Sequence, residues 1–147
     1  MKKLLVISVL ILAGVFISIN GGIHPPATTQ SSNNSSKADQ LLASFYKNRQ
    51  SNIQVQGSGR VVRILPDDND GSRHQKFIIQ LDSGQTLLIA HNIDLAKRVK
   101  SLRIGGQISF YGEYAWNSQG GTIHWTHRDP HGHHTAGWIK HDGVTYQ

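Results

Sequence analysis

The residues best suited to chemistry lie near the C-terminus, at positions 124–134 (HWTHRDPHGHH). Five of these eleven residues are histidine, and Asp129 adds a carboxylate. Imidazole can bind a metal ion, carry a proton or form hydrogen bonds, so such a density of it points to a site. A site also needs side chains from other elements, and strand pairing indicates which ones these could be.

A first hairpin is predicted from residues 74–81 and 85–90, with turn residues between them. If Ser83 and Gly84 form a two-residue turn, Lys76 pairs with His91. His74, Lys76 and His91 would then share one face of the sheet, and Phe77 would lie on the other. The prediction depends on the register, because a slip of one residue moves His91 to the opposite face.

A second hairpin is predicted from residues 107–114 and 122–127, with a turn at 117–121. It brings His124 opposite Glu113, the only glutamate, or opposite Tyr114. His124 and His127 differ in parity and cannot face one site from a regular strand. We therefore expect His127 at or beyond the strand end, where Pro130 also interrupts ladder pairing.

These pairings predict a polar site that combines the two hairpins. The predicted ligand or metal-binding residues are His74, His91, His127 and Asp129. The predicted supporting residues are Asn92, Asp94, Glu113, His124, Lys76 and Arg128. Neutral imidazoles with one carboxylate suit Zn, Cu, Ni or Fe, and His91, His127 and His74 are also the candidates for catalysis. The alternative is that these histidines are ordinary polar surface or hydrogen-bonded side chains, with residues 131–134 a flexible rim.

The elements that would position these residues predict a mainly β fold. Three strands, a short helix over 91–99 and two further strands give the order of an OB-fold, a five-stranded Greek-key barrel with its helix between strands 3 and 4. The first strand begins at Ile53 and is expected to bend at Gly57 and Gly59. A small open barrel of another topology is the alternative.

The N-terminal third has a different composition. Residues 1–22 combine a basic start with an apolar run and predict a signal peptide or an uncleaved anchor. Residues 23–36 are rich in Ser, Asn, Thr and Pro and predict a flexible linker. Residues 37–50 predict an amphipathic helix, and 53–147 the barrel domain. We expect a periplasmic or secreted protein. If residues 1–22 are not cleaved, they would tether it to the inner membrane, and no other membrane contact is expected.

Composition excludes some classes of function. The chain has no cysteine, which rules out thiol catalysis, Cys-type zinc sites and iron–sulfur clusters. The net charge is +6, but residues 53–147 contain ten Lys or Arg and eight Asp or Glu, a balance of only +2. Because nucleic-acid-binding domains are usually strongly basic, nucleic acid is not the expected partner.

Several motifs together resemble a known family. HQ at 74–75, IAHNID at 89–94, YGEY at 111–114, HWTH at 124–127 followed by Asp129 and Pro130, and GWI at 137–139 occur in this order. The chain resembles a family of small exported bacterial proteins catalogued as a domain of unknown function. The resemblance implies that these residues form one unit, and it implies no reaction.

Three functions compete at this point. The first is a binding module whose His-lined polar site takes a divalent metal or a small anionic ligand. The second is a His-dependent hydrolase of phosphodiesters, in which Lys76 or Arg128 would stabilise developing negative charge. The third is an OB-type binder of single-stranded nucleic acid or of oligosaccharides. The sequence names no macromolecular partner and no oligomeric state.

Overall fold

The computed structural model describes residues 28–147, so the predicted signal peptide or anchor lies outside the described residues. One helix and seven strands follow in the order α1 (Thr28–Lys47), β1 (Ile53–Ile64), β2 (His74–Gln80), β3 (Thr86–Asn92), β4 (Gln107–Ala115), β5 (Thr122–His124), β6 (Trp138–His141) and β7 (Val144–Tyr146). Within 28–147, no helix is long and apolar enough to cross a membrane.

The first five strands close into a barrel in the order β1-β2-β3-β5-β4, and β4 pairs back onto β1. All of these pairs are antiparallel except β3 with β5, which is parallel. This closed, mixed five-stranded barrel confirms the predicted OB-like fold. The hairpin of β6 and β7 extends the sheet, because β6 pairs with the first half of β4.

β1 bends because it serves both halves of the barrel. Its first part pairs with β4 and its last part with β2, with an irregularity between Val61 and Arg63. A Cβ on Gly57 would lie 2.7 Å from the Phe110 ring, and one on Gly59 would lie 2.6 Å from the carbonyl oxygen of Gln80. Only glycine therefore allows such a close approach at these two positions.

The barrel interior is filled by alternating residues of its strands. β2 and β4 show the period-two burial expected of strands with one face in the core. Fully buried apolar side chains from all five strands meet there: Val61, Phe77, Ile79, Leu87, Ile89, Ile108, Phe110 and Ile123.

α1 closes one end of the barrel. Leu42 is fully buried in the core, and the ring of Phe45 lies 5.8 Å from that of Tyr114. Asp39 accepts a hydrogen bond from the main-chain N–H of Ser83 in the β2–β3 turn, at 2.8 Å. The helix begins at Thr28, within the stretch predicted as a linker, and ends at Lys47. No Gly or Pro interrupts these twenty residues, so the Ser- and Asn-rich part continues the helix.

The short helix predicted between strands 3 and 4 is wrong, because residues 93–101 form only turns and irregular chain. The Asn92 side chain does accept the N–H groups of Asp94 and Leu95, as a helix cap would. Further along, however, the Gln75 side chain bonds both the N–H and the carbonyl of Val99, at 2.8 and 3.1 Å. Main-chain groups that a helix would use are thus bonded to side chains of the barrel, and one turn is all that forms.

The predicted register of the first hairpin is wrong by one residue. The loop has three residues, 82–84, since Leu81 donates its N–H to the carbonyl of Gln85 at 2.9 Å and Gly84 has a φ of 87°. A three-residue loop with a left-handed glycine is a common hairpin connection. Gln75 therefore pairs with His91, and Lys76 pairs with Ala90.

Candidate functional site

The changed register turns His91 into the barrel, away from His74 and Lys76. His91 is fully buried on the same face as Phe77, so the prediction that His74 and His91 share a face is wrong. Its Nε2 lies 3.1 Å from the carbonyl oxygen of Lys97, and its Nδ1 lies 2.9 Å from the Thr126 hydroxyl. A carbonyl only accepts, so Nε2 carries the proton and the Thr126 hydroxyl donates to Nδ1.

Burial lowers the pKa of His91 to about 4, although the bond to the Lys97 carbonyl opposes this change. The nearby His127 and His74 lower it further. The ring is neutral near pH 7, and its one free lone pair is already used by Thr126. His91 therefore has a structural role, because both of its ring nitrogens are hydrogen-bonded within the protein, and it is not arranged as a metal ligand.

His74 and Lys76 lie on the outer face of β2 and are bonded locally. Nδ1 of His74 lies 2.7 Å from the carbonyl oxygen of Ser72, and Nζ of Lys76 lies 3.4 Å from Oδ2 of Asp68. The backbone hydrogen bond of Asp70 and then the Lys76 bond lower the pKa of Asp68. Both residues thus lie on the opposite face of the sheet from His91.

Asp94 and Asn92 are occupied by contacts that shape the loops. Asp94 accepts both the N–H and the Nε–H of Arg73, each at 2.7 Å, and these bonds lower the pKa of Asp94. The Asn92 side chain caps the turn that follows β3. Both residues therefore support the loops at one end of the barrel.

Asp129 orders residues 130–134, which we call the histidine loop. Its carboxylate accepts the main-chain N–H groups of His131, His133 and His134, at 2.9, 2.6 and 2.9 Å. The His131 bond contributes most to the lowered pKa of Asp129. Asp129 is thus fully engaged in ordering residues 130–134.

His127 lies beyond β5, as expected, and is almost completely buried. Its Nδ1 donates to the carbonyl oxygen of Arg128 at 2.8 Å, while the Arg128 side chain is exposed. The predicted set of His74, His91, His127 and Asp129 does not converge on one point. Among residues 28–147, no group of three or more His, Asp or Glu side chains is arranged to hold a metal ion.

The structure does bring together Glu113 and His124, which pair directly across β4 and β5 on the outer face. Nε2 of His124 lies 3.3 Å from Oε1 of Glu113, but the two are not aligned for a hydrogen bond. Burial is the main cause that lowers the pKa of His124, and the Glu113 carboxylate partly opposes it. A partly buried carboxylate therefore sits beside an imidazole that burial keeps neutral.

Gln54 adds a third polar group in the same row. It pairs with Glu113 on the other side of β4. Nε2 of Gln54 and Nε2 of His124 are both buried, and neither finds a hydrogen-bond partner in the described part of the chain. Unpaired buried polar atoms are rare in proteins, so these two nitrogens need an explanation, and a bound group is one of them.

His134 and Trp125 complete one side of this cluster. Nδ1 of His134 lies 4.0 Å from Oε2 of Glu113, and its ring stacks on Trp125 with 3.6 Å between centroids and 16° between planes. Trp125 has a φ of 52°, a left-handed conformation that is strained for a bulky residue and is often found at functional sites. We call Gln54, Glu113, His124, Trp125 and His134 together the Glu113 site.

Sequence reasoning missed three members of the Glu113 site. Gln54 is one of several glutamines, and only the pairing of β1 with β4 singles it out. His134 was assigned to the loop rim, and its position depends on the bonds that Asp129 makes. The unusual density of histidine around Trp125 was the available signal.

The standard nucleic-acid-binding face of an OB-fold differs here. The outer residues of β2 and β3 include His74, Lys76, Ile78 and Leu88, and no Phe, Tyr or Trp lies on that face of these two strands. Single-stranded nucleic acids bind largely by stacking on aromatic side chains. This face therefore provides no stacking platform.

The fold and the Glu113 site define a small OB-like barrel with a polar site on its outer surface. A family model described as "Protein of unknown function (DUF3465)" matches residues 27–147, and the chain belongs to this family. The match confirms the resemblance to a domain of unknown function and extends it to include α1. No curated protein matches the chain.

Proposed function

We propose that the chain is a binding module for a small, hydroxyl-rich ligand such as a sugar, bound at the Glu113 site. The observation that carries the proposal is the row of Gln54, Glu113 and His124 on three neighbouring strands. The buried Nε2 of Gln54 has no hydrogen-bond partner among residues 28–147, and Nε2 of His124 meets only the Glu113 carboxylate, out of line at 3.3 Å. Binding sites commonly combine a few convergent polar groups with an aromatic wall.

The mixture of donors and acceptors favours hydroxyl groups. The Gln54 amide nitrogen can only donate, and the Glu113 carboxylate can only accept. A hydroxyl group both donates and accepts, so neighbouring hydroxyls of one ligand can satisfy both side chains. The stacked rings of Trp125 and His134 offer a flat surface for the less polar face of the same ligand.

The other ligands considered from the sequence fit less well. A metal ion would leave the Gln54 amide nitrogen unpaired, because that group has no lone pair to give. A small anion would be repelled by the Glu113 carboxylate, which accepts no aligned hydrogen bond from the described residues. Oligosaccharide binding by OB-folds is known, although their usual face is that of β2 and β3.

The experiment is a titration followed in amide NMR spectra with galactose, glucose, N-acetylglucosamine and glycerol. We expect at least one sugar to shift the signals of Gln54, Glu113 and His124, and Glu113→Gln to abolish the shifts. Asp142→Asn is the matched control, since Asp142 is a surface carboxylate paired with Arg103. The proposal fails if no sugar shifts these signals.

Further measurements distinguish sugar binding from a metal site and from a hydrolase. Zn²⁺ and inorganic phosphate are titrated in the same way, and shifts at Glu113 and His124 with Zn²⁺ alone would favour a metal site. His134→Gln is compared with His133→Gln, because Asp129 holds both main-chain N–H groups and only His134 lies beside Glu113. Cleavage of a phosphodiester, lost in His124→Gln, would favour the hydrolase.

A further inference from the structure

A groove runs between α1 and β1, and Gln54 belongs both to its lining and to the Glu113 site. The groove has a volume of about 510 Å³. Sites for small ligands typically measure about 300–1,000 Å³, so the groove is large enough to be one.

The groove is lined by both apolar and polar side chains. Leu41, Phe45 and Val55 supply apolar surface, and most of the remaining positions are amides and hydroxyls. The hydroxyls of Ser35 and Ser58 lie 3.3 Å apart, which ties α1 to β1 within the groove. Lys37 is the one charged residue among the described groove-lining residues.

The groove runs along β1. Gln54, Gln56 and Ser58 lie on the same face of β1, and all three line the groove. Gln54 and Ser58 are four residues apart, which corresponds to about 13 Å along a strand. A single sugar ring cannot contact both, whereas a short chain of sugars can.

We propose that the groove holds the continuation of the ligand bound at the Glu113 site, and that this ligand is an acidic oligosaccharide with a carboxylate near Lys37. The inference rests on the proposed function. The Glu113 carboxylate repels an acidic unit at its own end, and the Lys37 ammonium attracts one at the other. The charges of Glu113 and Lys37, at the two ends of the combined site, thus determine which way round the oligosaccharide binds.

The experiment measures the affinity of the full chain for glucose and for its dimer, trimer and tetramer, which form the neutral series. The same oligomers oxidised at the reducing end, which carry a single carboxylate at that end, serve as the acidic series. We expect affinity to rise with length and the acidic trimer to bind more tightly than the neutral one. Lys37→Gln should weaken binding of the acidic trimer by about two- to fivefold, as for a solvent-exposed ion pair, and leave binding of the monomer unchanged.

Lys47→Gln is the matched control, because Lys47 lies at the end of the same helix and outside the groove. Equal affinities of the two variants for the acidic trimer would overturn the groove inference. If Glu113→Gln still abolished monomer binding in that case, the proposed function would stand. If neither monomer nor oligomer bound, both would fail. Equal urea midpoints for the variants would show that both remain folded.

Discussion

Thr126 donates its hydroxyl hydrogen to Nδ1 of His91 at the end of β3 that lies away from the β2–β3 turn, at 2.9 Å. Both side chains are fully buried, and Nε2 of the same ring is held by the Lys97 carbonyl. One imidazole thus connects β3, the chain after β5 and the irregular segment that replaces a helix.

Removing this donor should destabilise the protein. Thr126→Val keeps the shape of the side chain but leaves a buried acceptor nitrogen unpaired, which typically costs about 1–3 kcal/mol. Thr126→Ser retains the hydroxyl and is the control. Urea unfolding monitored by tryptophan fluorescence gives the free energies. A loss in Thr126→Ser as large as that in Thr126→Val would argue that packing of the methyl group matters, and not the hydrogen bond.

The free energy of unfolding should fall as the pH is lowered from about 6.5 to 4. The folded state disfavours protonation of His91, whose pKa drops from 6.5 to about 4, so the unfolded chain binds more protons in this range. The expected loss is about 3 kcal/mol at most. Urea unfolding at a series of pH values tests it, and His91→Gln should reduce the slope. An unchanged slope in that variant would assign the effect to other groups.

The contribution of α1 can be tested with two adjacent leucines. Leu42 is fully buried, whereas Leu41 is 45% exposed. Leu42→Ala should cost about 2–5 kcal/mol, because it opens a cavity at the end of the barrel. Leu41→Ala should change stability by about 0.5 kcal/mol or less. If thermal and urea unfolding showed equal effects for the two, α1 would not be packed as described.

Asp129→Ala should release the histidine loop while the barrel stays folded. Its carboxylate holds the N–H groups of His131, His133 and His134, so these amides should exchange with deuterium faster in the variant. His134 should also lose its position beside Glu113. Asp70→Ala, on another exposed loop, is the control. Unchanged exchange rates at the three amides would contradict the role given to Asp129.

Pairing rules were enough to predict the barrel and to place His124 opposite Glu113 or the neighbouring Tyr114. The length of the turn after β4 decides between the two, and in the structure His124 pairs with Glu113. The same reasoning failed for His91, because residues 82–84 are compatible with a two-residue or a three-residue loop. The choice reverses the face of every residue in one strand, and turn chemistry alone does not decide it.

The remaining differences depend on contacts between distant parts of the chain. The segment after Asn92 carries a good cap, yet Gln75 bonds the main chain of Val99 and no helix continues. The position of His134 depends on the loop that Asp129 gathers. Neither contact leaves a periodic pattern in the sequence.

The short strand β5 has a consequence for how the molecule is made. It is three residues long, yet it alone joins β3 to β4 and so closes the barrel. During synthesis β1 to β4 emerge first, and until residues 122–124 follow, β3 has an unpaired edge. Unpaired strand edges favour aggregation. The nascent chain is therefore most vulnerable just before β5 is added, and variants that weaken β5 should lower the yield of soluble protein more than their equilibrium stability indicates.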